Sequence, residues 1–354
     1  MRHYSRRYNL FFLCVQLAAY FCYTCRLASS LQQEHKLSDY SDNEYADLDW
    51  DNLGFGITPA DYMYITKCSK DKNFEQGKLS RYGNIGLSPS AGVLNYGQAC
   101  TILKNSIGDW PYGLYEGTKA YRTEEGRILL FRPDQNAMRM KMGAERMCMP
   151  SPSIDQFVDA VKQIALVNKR WEGSAPLNLY IEEDFVRATP GGAGGVKTIG
   201  NYAPVLKALT RAKNRGFSDV LYLDSVHRKY LEEVSSCNIF IVKGNVISTP
   251  ATNGTILEGI TRKSLIDIAH DHGYQVEERL IPVDELIDAD EVFCTGTAVV
   301  LAPVGSITYQ NRRIEFRTGA GSACQELYST LVGIQTGLIE DKKGWTIEIP
   351  HQIN

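Results

Sequence analysis

Apolar residues recur at helical spacing in five stretches of the chain. One face of each stretch carries apolar side chains three or four residues apart, which predicts an amphipathic helix. Pro204 near the start of the third stretch, and Gly216 and Gly273 at the ends of the third and fourth, are typical helix boundaries. The predicted helices span residues 134–149, 153–171, 204–216, 260–273 and about 322–340.

Other stretches are rich in β-branched and aromatic residues and predict strands. The segment 238–249 reads as a β-hairpin that turns at Gly244-Asn245. Residues 290–304 read as one strand interrupted by Thr295-Gly296-Thr297. Further strands are predicted over residues 127–133, 177–188 and 219–224. Because strands and helices mix without a regular βαβ alternation, the pattern predicts an α+β fold with two domains.

The first residues differ in kind from the rest of the chain. Four arginines occur there and no acidic residue precedes Glu34, while the apolar run from Leu10 to Tyr23 is interrupted by Gln16 and is short for a membrane span. A basic start without acids is typical of an organelle transit peptide, although the apolar run also fits a secretory signal. We expect a transit peptide and linker over residues 1–46, a small domain over 47–173 and a larger domain over 174–354.

Composition narrows the class of partner. A net charge of −3 over 354 residues gives no positive electrostatic field that would attract a polyanion, so we expect no nucleic-acid partner. No segment predicts a membrane helix. Nine irregularly spaced cysteines do not resemble a disulfide framework, and six scattered histidines do not suggest a metal site. Any phosphate bound by this chain must be held by a local site.

The segment GGAGGVKT, residues 191–198, places four glycines ahead of Lys197. It is not a phosphate-binding P-loop, because Val196 stands where that motif requires glycine. A lysine amine can instead form a Schiff base with an aldehyde, as in enzymes that use pyridoxal phosphate. A lone lysine is more often solvated, so this hypothesis needs an anion for the ring nitrogen and a phosphate site nearby.

Three stretches supply candidates for those parts, each with a simpler interpretation. Glu233 precedes the predicted hairpin and could bury its carboxylate against a ring nitrogen, but beside Glu232 it also fits an exposed acidic pair. Ile260 and Thr261 open a helix, where unpaired N–H groups bind anions. The segment from Thr295 to Ala298 offers further N–H groups and hydroxyls, or is an ordinary β-bulge.

Longer stretches resemble one known family. The segments GGVKTIGNYAP, YLEEVSSCNIFIVKGNVISTPATNGTILEGITRKSL and DADEVFCTGTAVVLAPVG are similar to branched-chain amino acid aminotransferases, which are pyridoxal phosphate enzymes of fold type IV. The segments LSPSAGVLNYGQ and RILLFRPDQNAMRMKMGAERMCMPSPS resemble the plant branch of that family. The similarity extends from about Asp47 to near the C-terminus.

The resemblance implies roles for individual residues. Lys197 would bind the cofactor covalently and move the proton at the substrate Cα, Glu233 would keep the pyridine nitrogen protonated, and Tyr202 would hydrogen-bond the ring oxygen. The phosphate would be bound by Arg139, Ile260, Thr261 and Thr297, and the substrate by Tyr96, Tyr115, Thr297 and Ala298, with Ser236 and Asn238 as supporting polar groups.

Two stretches depart from the family pattern. An insertion near residues 99–113 separates Tyr96 from Tyr115, two residues that should line one pocket. After Trp171 the chain lacks a family segment that carries an LYIRP strand, a substrate-side arginine and the first strand of the large domain. We therefore expect the small domain to be incomplete, with newly exposed strand edges and a damaged substrate pocket.

The resemblance further implies the reaction and its partners. Leucine, isoleucine or valine would exchange an amino group with 2-oxoglutarate to give branched-chain 2-oxo acids and glutamate, in biosynthesis or degradation, in a homodimer. The plastid is the expected location, with the mitochondrion as the alternative. The alternative function is that of a catalytically impaired variant that only pairs with intact subunits.

Overall fold

A computed structural model describes residues 19–22, 62–68, 73–81, 102–103, 114–123, 125–167, 177–297 and 299–350. Five α-helices lie in these ranges: α1 (Pro133–Arg146), α2 (Ile154–Val167), α3 (Val205–Asn214), α4 (Ile260–Asp271) and α5 (Ala323–Gln335). All five predicted helices are confirmed. The first is shorter at its C-terminal end than predicted, since α1 ends before Met147. The residues predicted to extend the second beyond Val167 lie outside the described ranges.

Six short strands precede the first helix pair. They are β1 (Ala19–Cys22), β2 (Tyr62–Lys67), β3 (Lys78–Arg81), β4 (Ile102–Leu103), β5 (Ala120–Arg122) and β6 (Ile128–Phe131). β1 to β4 form one sheet in the order β3-β2-β1-β4, in which β1 is parallel to both of its neighbours. A segment expected in a transit peptide thus contributes a strand to this sheet.

The larger sheet contains nine strands. They are β7 (Leu177–Glu182), β8 (Asp219–Leu223), β9 (Leu231–Val234), β10 (Asn238–Lys243), β11 (Val246–Pro250), β12 (Gln275–Arg279), β13 (Glu291–Gly296), β14 (Val300–Tyr309) and β15 (Arg312–Glu315). The order is β12-β11-β10-β13-β14-β7-β8-β9, with β15 also paired to β14. Since β9 also packs near β10 and β11, the sheet curls back on itself.

Local turn chemistry explains two hairpins of this sheet. The predicted hairpin of β10 and β11 is confirmed: Lys243 pairs with Val246, and Gly244 has φ of 56° in the turn. The prediction of one interrupted strand over residues 290–304 is wrong. Phe293 pairs with Pro303 and Gly296 with Val300, so this stretch is an antiparallel hairpin. Its turn includes Thr297. The two strands pair because β13 and β14 both carry apolar residues that are buried.

The last strand of the chain joins residues from its first half. β16 (Thr346–Ile349) pairs antiparallel with β6, which pairs with β5 in turn. The guanidinium of Arg132 stacks on the Trp345 ring, 4.8 Å from its centroid, and the Arg132 N–H donates to the Trp345 carbonyl at 2.6 Å. The small sheet therefore contains residues from both expected domains.

Apolar side chains form separate cores on the two faces of the large sheet. The inner core lines the curled sheet and includes Leu179, Ile239 and Cys294. The outer core packs α4 and α5 onto the sheet and reaches Phe131 and Trp345 of the small sheet. A third core packs α1 and α2 against β5, β6 and β16. These cores fix the loops between them, where the candidate site lies.

No helix in the described part of the chain is long and apolar enough to cross a membrane. The described residues also contain no group of three or more His, Cys, Asp or Glu side chains arranged to bind a metal ion. Five cysteines of the described chain are free thiols, namely Cys68, Cys148, Cys237, Cys294 and Cys324, and of these all but Cys148 are buried.

Candidate functional site

The glycines before Lys197 allow two loops to pack in close contact. The Gly195 N–H donates to the Gly254 carbonyl at 2.8 Å. A Cβ atom on Gly194 would lie 2.4 Å from the Thr255 carbonyl oxygen and 2.4 Å from the Ala188 Cβ. Side chains are therefore excluded here. The glycine loop, residues 191–195, holds Lys197 next to the segment that leads into α4.

Lys197 lies between two phenol rings. Its Nζ atom is 3.4 Å from the Tyr202 hydroxyl and 4.4 Å from the centroid of the Tyr115 ring. The two rings meet edge to face with centroids 5.2 Å apart. Tyr202 is in place because a short 3₁₀ turn over Ile199–Asn201 reverses the chain after the lysine. The amine therefore has a hydrogen-bond partner and an aromatic wall.

One extended segment, residues 114–119, contacts three parts of the site, and we call it the strap. Leu114 forms a β-bridge with Thr198, and the Tyr115 N–H donates to the Lys197 carbonyl at 3.1 Å. Farther along, the Gly117 carbonyl accepts from the Thr297 hydroxyl at 3.3 Å. The strap begins directly after residues 99–113, where the sequence predicts an insertion.

Arg139 on α1 reaches the same region through the strap. Its Nε and Nη2 atoms donate to the two carboxylate oxygens of Glu116, both at 2.8 Å, while Nη1 reaches the Glu258 carbonyl at 3.3 Å. Glu116 is almost fully buried and also accepts from the Asn136 amide at 2.7 Å. This bidentate pair fixes the plane of the guanidinium and leaves the Nη1 side facing the segment before α4.

Glu233, at the inner end of β9, is buried and ion-paired. Its Oε1 atom lies 2.6 Å from Arg187 Nη1 and accepts from the Leu257 N–H at 2.9 Å. Burial raises the pKa of the Glu233 carboxyl to about 7, opposed by Arg187, by the Leu257 N–H and by the charge of Lys197. Both contacts that the described residues make with this carboxylate fall on Oε1, so Oε2 is left for another group.

The N-terminus of α4 lies beside this pair. Gly259 precedes the helix in an extended conformation, and no side chain caps the helix. A Cβ atom on Gly259 would lie 2.2 Å from Asn238 Oδ1, while the Asn238 amide donates to the Leu257 carbonyl at 2.8 Å. Ile260 and Thr261 are both buried, and the N–H groups of a first helical turn lack intrahelical acceptors. This end of the helix suits a phosphate.

The structure brings together most of the residues predicted for the site. Lys197, Tyr202 and Tyr115 are in contact, and the strap connects them to Arg139 and Thr297. Glu233 joins them through the charge of Lys197. Ser236 lies in the loop between β9 and β10, where its hydroxyl is 3.8 Å from Cys237 Sγ. Tyr96 and Ala298 lie outside the described residues.

Sequence reasoning missed two charged residues that hold the predicted ones. Glu116 binds Arg139, and Arg187 binds Glu233. An arginine inside the run DFVRATP, between an apolar strand and a glycine loop, was a weak signal for a buried cation. Nothing local in the sequence distinguished Glu116 from an exposed acid, since its partner lies on a helix that follows another strand.

The assembled groups have complementary chemical abilities. A lysine amine beside a phenol can attack a carbonyl carbon and transfer protons. A buried carboxylate with one free oxygen can bind a protonated ring nitrogen, and an uncapped helix end beside an arginine can bind a phosphate. Together they suit a phosphorylated heterocycle that carries an aldehyde.

Comparisons with known proteins agree with this chemistry. The model of the class IV aminotransferase family matches residues 180–307. The chain is 62% identical to a chloroplastic branched-chain-amino-acid aminotransferase of Arabidopsis thaliana, with 92% of each protein covered. It is 57% identical to a mitochondrial branched-chain amino acid aminotransferase of Humulus lupulus, with 91% of this chain and 89% of that protein covered. A methionine aminotransferase of Arabidopsis thaliana is 45% identical, with 88% of this chain and 96% of that protein covered.

Solved structures share the fold. The Escherichia coli branched-chain amino acid aminotransferase has a TM-score of 0.68 at 22% identity, with 83% of this chain and 100% of that chain covered. The Thermobaculum terrenum branched-chain amino acid aminotransferase, solved in its PLP-bound holo form, has a TM-score of 0.60 at 21% identity, with 66% of this chain and 88% of that chain covered. The predicted fold type IV is confirmed.

Proposed function

The chain belongs to the branched-chain amino acid aminotransferases, and we propose that it transfers the amino group of leucine, isoleucine or valine to 2-oxoglutarate. The observation that carries this proposal is the position of Lys197, with its amine 3.4 Å from the Tyr202 hydroxyl and its charge felt by the buried Glu233 carboxylate. These three groups are the minimum that binds and activates a pyridoxal cofactor.

The fold type uses pyridoxal 5'-phosphate, and the residues of this chain fit that group. The free Oε2 of Glu233, the uncapped start of α4 and the Nη1 side of Arg139 offer partners for a ring nitrogen and a phosphate. When bound, the cofactor supplies an aldehyde that accepts an amino group and a ring that withdraws electrons from the substrate Cα.

Individual residues then have defined tasks in the proposed reaction. Lys197 would hold the aldehyde through its amine and would carry the proton to and from the substrate Cα. Tyr202 would donate a hydrogen bond at the ring oxygen, and Glu233 would hold a proton on the ring nitrogen. Arg139, Ile260, Thr261 and Thr297 would bind the phosphate, while Tyr96, Thr297 and Ala298 would bind the substrate carboxylate. Tyr115 forms one wall of the aliphatic pocket, where one methylene is worth only about 1–3 kcal/mol.

The breadth of the substrate range follows from that small energy. A dry aliphatic pocket cannot separate leucine, isoleucine and valine strongly, so we expect all three to react. The methionine aminotransferase among the relatives makes methionine the comparison substrate of choice. An unbranched thioether of similar length tests whether the pocket requires a branched side chain.

The second candidate function is that of an impaired variant that pairs with intact subunits. Its support is the alignment with the Arabidopsis chloroplastic relative, which extends over 373 positions although this chain has 354 residues. The alignment therefore contains gaps in this chain, as expected for a missing segment after Trp171. The cofactor-binding groups are present on either side of that point, whereas the absent LYIRP strand would have carried a substrate-side arginine.

A homodimer in the plastid completes the proposal, with the mitochondrion as the alternative. The basic, acid-free first residues support an organelle, and the relatives include chloroplastic and mitochondrial proteins. The division into residues 1–46, 47–173 and 174–354 stays a prediction.

One experiment decides between the two candidate functions. Purified protein is incubated with pyridoxal 5'-phosphate, reduced with borohydride and digested, and the peptide with Lys197 is examined for the cofactor mass. The same preparation is assayed with leucine and 2-oxoglutarate, with Lys197→Ala as the control. Labelling with turnover supports the enzyme. Labelling without turnover supports the impaired variant, and no label on Lys197 contradicts both.

A further inference from the structure

Arg187 and Glu233 form a pair of oppositely charged side chains that are almost completely buried. The exposed fraction of the side chain is 2% for Arg187 and 3% for Glu233, and Nη1 lies 2.6 Å from Oε1. A buried carboxylate without a cation takes up a proton, because burial disfavours its charged form. A neutral Glu233 could not hold a proton on a ring nitrogen.

The pair is also fixed in orientation. The Arg187 Nε–H points to the Ser235 carbonyl at 3.4 Å, and its guanidinium lies 5.9 Å from the centroid of the Tyr202 ring. Oε1 of Glu233 accepts from the Leu257 N–H at 2.9 Å and lies 2.6 Å from Arg187 Nη1 in the ion pair. These two contacts on one oxygen orient the carboxylate and leave Oε2 available.

Arg187 has other acidic neighbours, so we compare the effect of its charge on each of the nearby carboxylates. Asp219 on β8 and Glu232 on β9 are buried as well, and the charge of Arg187 lowers the pKa of both against the larger opposing effect of burial. The remaining ionisable groups around the pair are Lys197, Tyr202, Tyr222 and Cys237. Of the three carboxylates, only Glu233 forms a direct ion pair with Arg187 in the described part of the chain.

We propose that Arg187 is a positioning residue that keeps Glu233 ionised and aimed once the cofactor is bound, so that Oε2 serves the ring nitrogen of the cofactor. This proposal rests on the proposed function for the identity of the cofactor. Arg187 acts only through Glu233. Its place shortly before the glycine loop couples the acid to the same segment that presents Lys197.

The first test reads the ring nitrogen directly. Wild type, Arg187→Lys and Arg187→Met are loaded with ¹⁵N-labelled pyridoxal 5'-phosphate, and the ¹⁵N chemical shift is followed from pH 6 to pH 9. Loss of an adjacent opposite charge makes a carboxylate bind its proton about 10- to 1,000-fold more tightly. We expect the nitrogen to stay protonated in wild type and Arg187→Lys and to be unprotonated in Arg187→Met. An unchanged shift in Arg187→Met overturns the proposal.

The matched control is Arg211→Met. Arg211 also pairs with a fully buried carboxylate, that of Glu182, but lies on α3. This variant should lose stability without any change in the ¹⁵N shift. If it moves the shift as far as Arg187→Met does, a general loosening of the protein explains the result and the proposal fails.

The second test needs no cofactor, so its result remains informative even if the proposed function is wrong. The thermal midpoint of the apoprotein is measured for Arg187→Met alone and combined with Glu233→Gln, Glu232→Gln or Asp219→Asn. We expect only Glu233→Gln to restore most of the lost midpoint, because it removes the acid left unpaired. Restoration by one of the other two, or by none, contradicts the assignment to Glu233. In wild type, Glu233→Gln should instead lower the midpoint.

Discussion

The main-chain nitrogen of Tyr115 donates a hydrogen bond to the carbonyl of Lys197, and the Tyr115 ring receives the lysine Nζ on its face, 4.4 Å from the centroid. One residue of the strap thus holds both the backbone and the side chain of the lysine. The insertion predicted near residues 99–113 ends just before this residue in the sequence.

The Tyr115 ring should matter more than its hydroxyl for holding Lys197. Tyr115→Phe keeps the aromatic wall, whereas Tyr115→Ala loses the cation–π contact and the edge-to-face pair with Tyr202, about 1–3 kcal/mol together. We expect the dissociation constant for pyridoxal 5'-phosphate to rise about tenfold in Tyr115→Ala. Equilibrium dialysis measures it, and an equal loss in Tyr115→Phe would show that the hydroxyl carries the effect.

The packing of the glycine loop predicts a sharp difference between two glycines. Gly194→Ala must push the Thr255 carbonyl away, whereas a Cβ atom on Gly305 in β14 meets nothing within 4 Å. We expect Gly194→Ala to lower stability by about 1–3 kcal/mol, as overpacking does, and to weaken cofactor binding. Gly305→Ala is the control and should leave both nearly unchanged. Thermal unfolding with and without cofactor provides the comparison, and equal midpoints in the two variants would contradict the loop packing.

The Glu116–Arg139 pair predicts a phosphate-dependent rescue. Glu116→Ala leaves a buried guanidinium without its carboxylate, which costs about 3–5 kcal/mol in comparable buried pairs. A phosphate bound nearby should compensate part of that charge. We expect pyridoxal 5'-phosphate to raise the thermal midpoint of Glu116→Ala more than that of wild type. Pyridoxal without the phosphate is the control ligand. An equal rise in the thermal midpoint with both ligands would show that Arg139 does not bind the phosphate.

The pKa of Glu233 predicts how the stability of the apoprotein changes with pH. Burial raises this pKa from 4.5 to about 7, so between these values the folded state keeps a proton that the unfolded state has released. Stability therefore falls as the pH rises through this window, by at most about 1.4 kcal/mol per pH unit. We expect Glu233→Gln, which cannot titrate, to lack this fall. Urea unfolding of the apoprotein at pH 5, 6 and 7 measures the difference.

Asp224→Asn is the control for that measurement. Against partial burial, the N–H groups of His227, Tyr230 and Lys229 lower the pKa of Asp224 to about 2. A lowered pKa contributes stability that is complete above the ordinary value of 3.8 and is lost only as the pH falls toward 2. The stability difference from wild type should therefore be constant between pH 5 and pH 7. If the stability difference between Asp224→Asn and wild type changed with pH as it does for Glu233→Gln, the fall in stability would have to come from a group other than Glu233.

Features decided by neighbouring residues could be predicted from the sequence. The Gly244-Asn245 turn fixes its hairpin, and the helix that begins after Gly259 follows from its apolar spacing. The prediction for residues 290–304 was wrong because a turn residue can either bend a strand or reverse its direction. Which of the two occurs depends on the pairing of β14 with β7. Pairings between distant residues, such as Arg187 with Glu233, leave no local signal.

The pairing of β16 with β6 has a consequence for how the protein is made. β6 leaves the ribosome long before its second neighbour, β16, is synthesised. The small sheet cannot be completed until then, so Arg132 and Phe131 lack their contacts with Trp345 during that interval. A stop codon before β16 would leave the early half of the protein open to proteolysis.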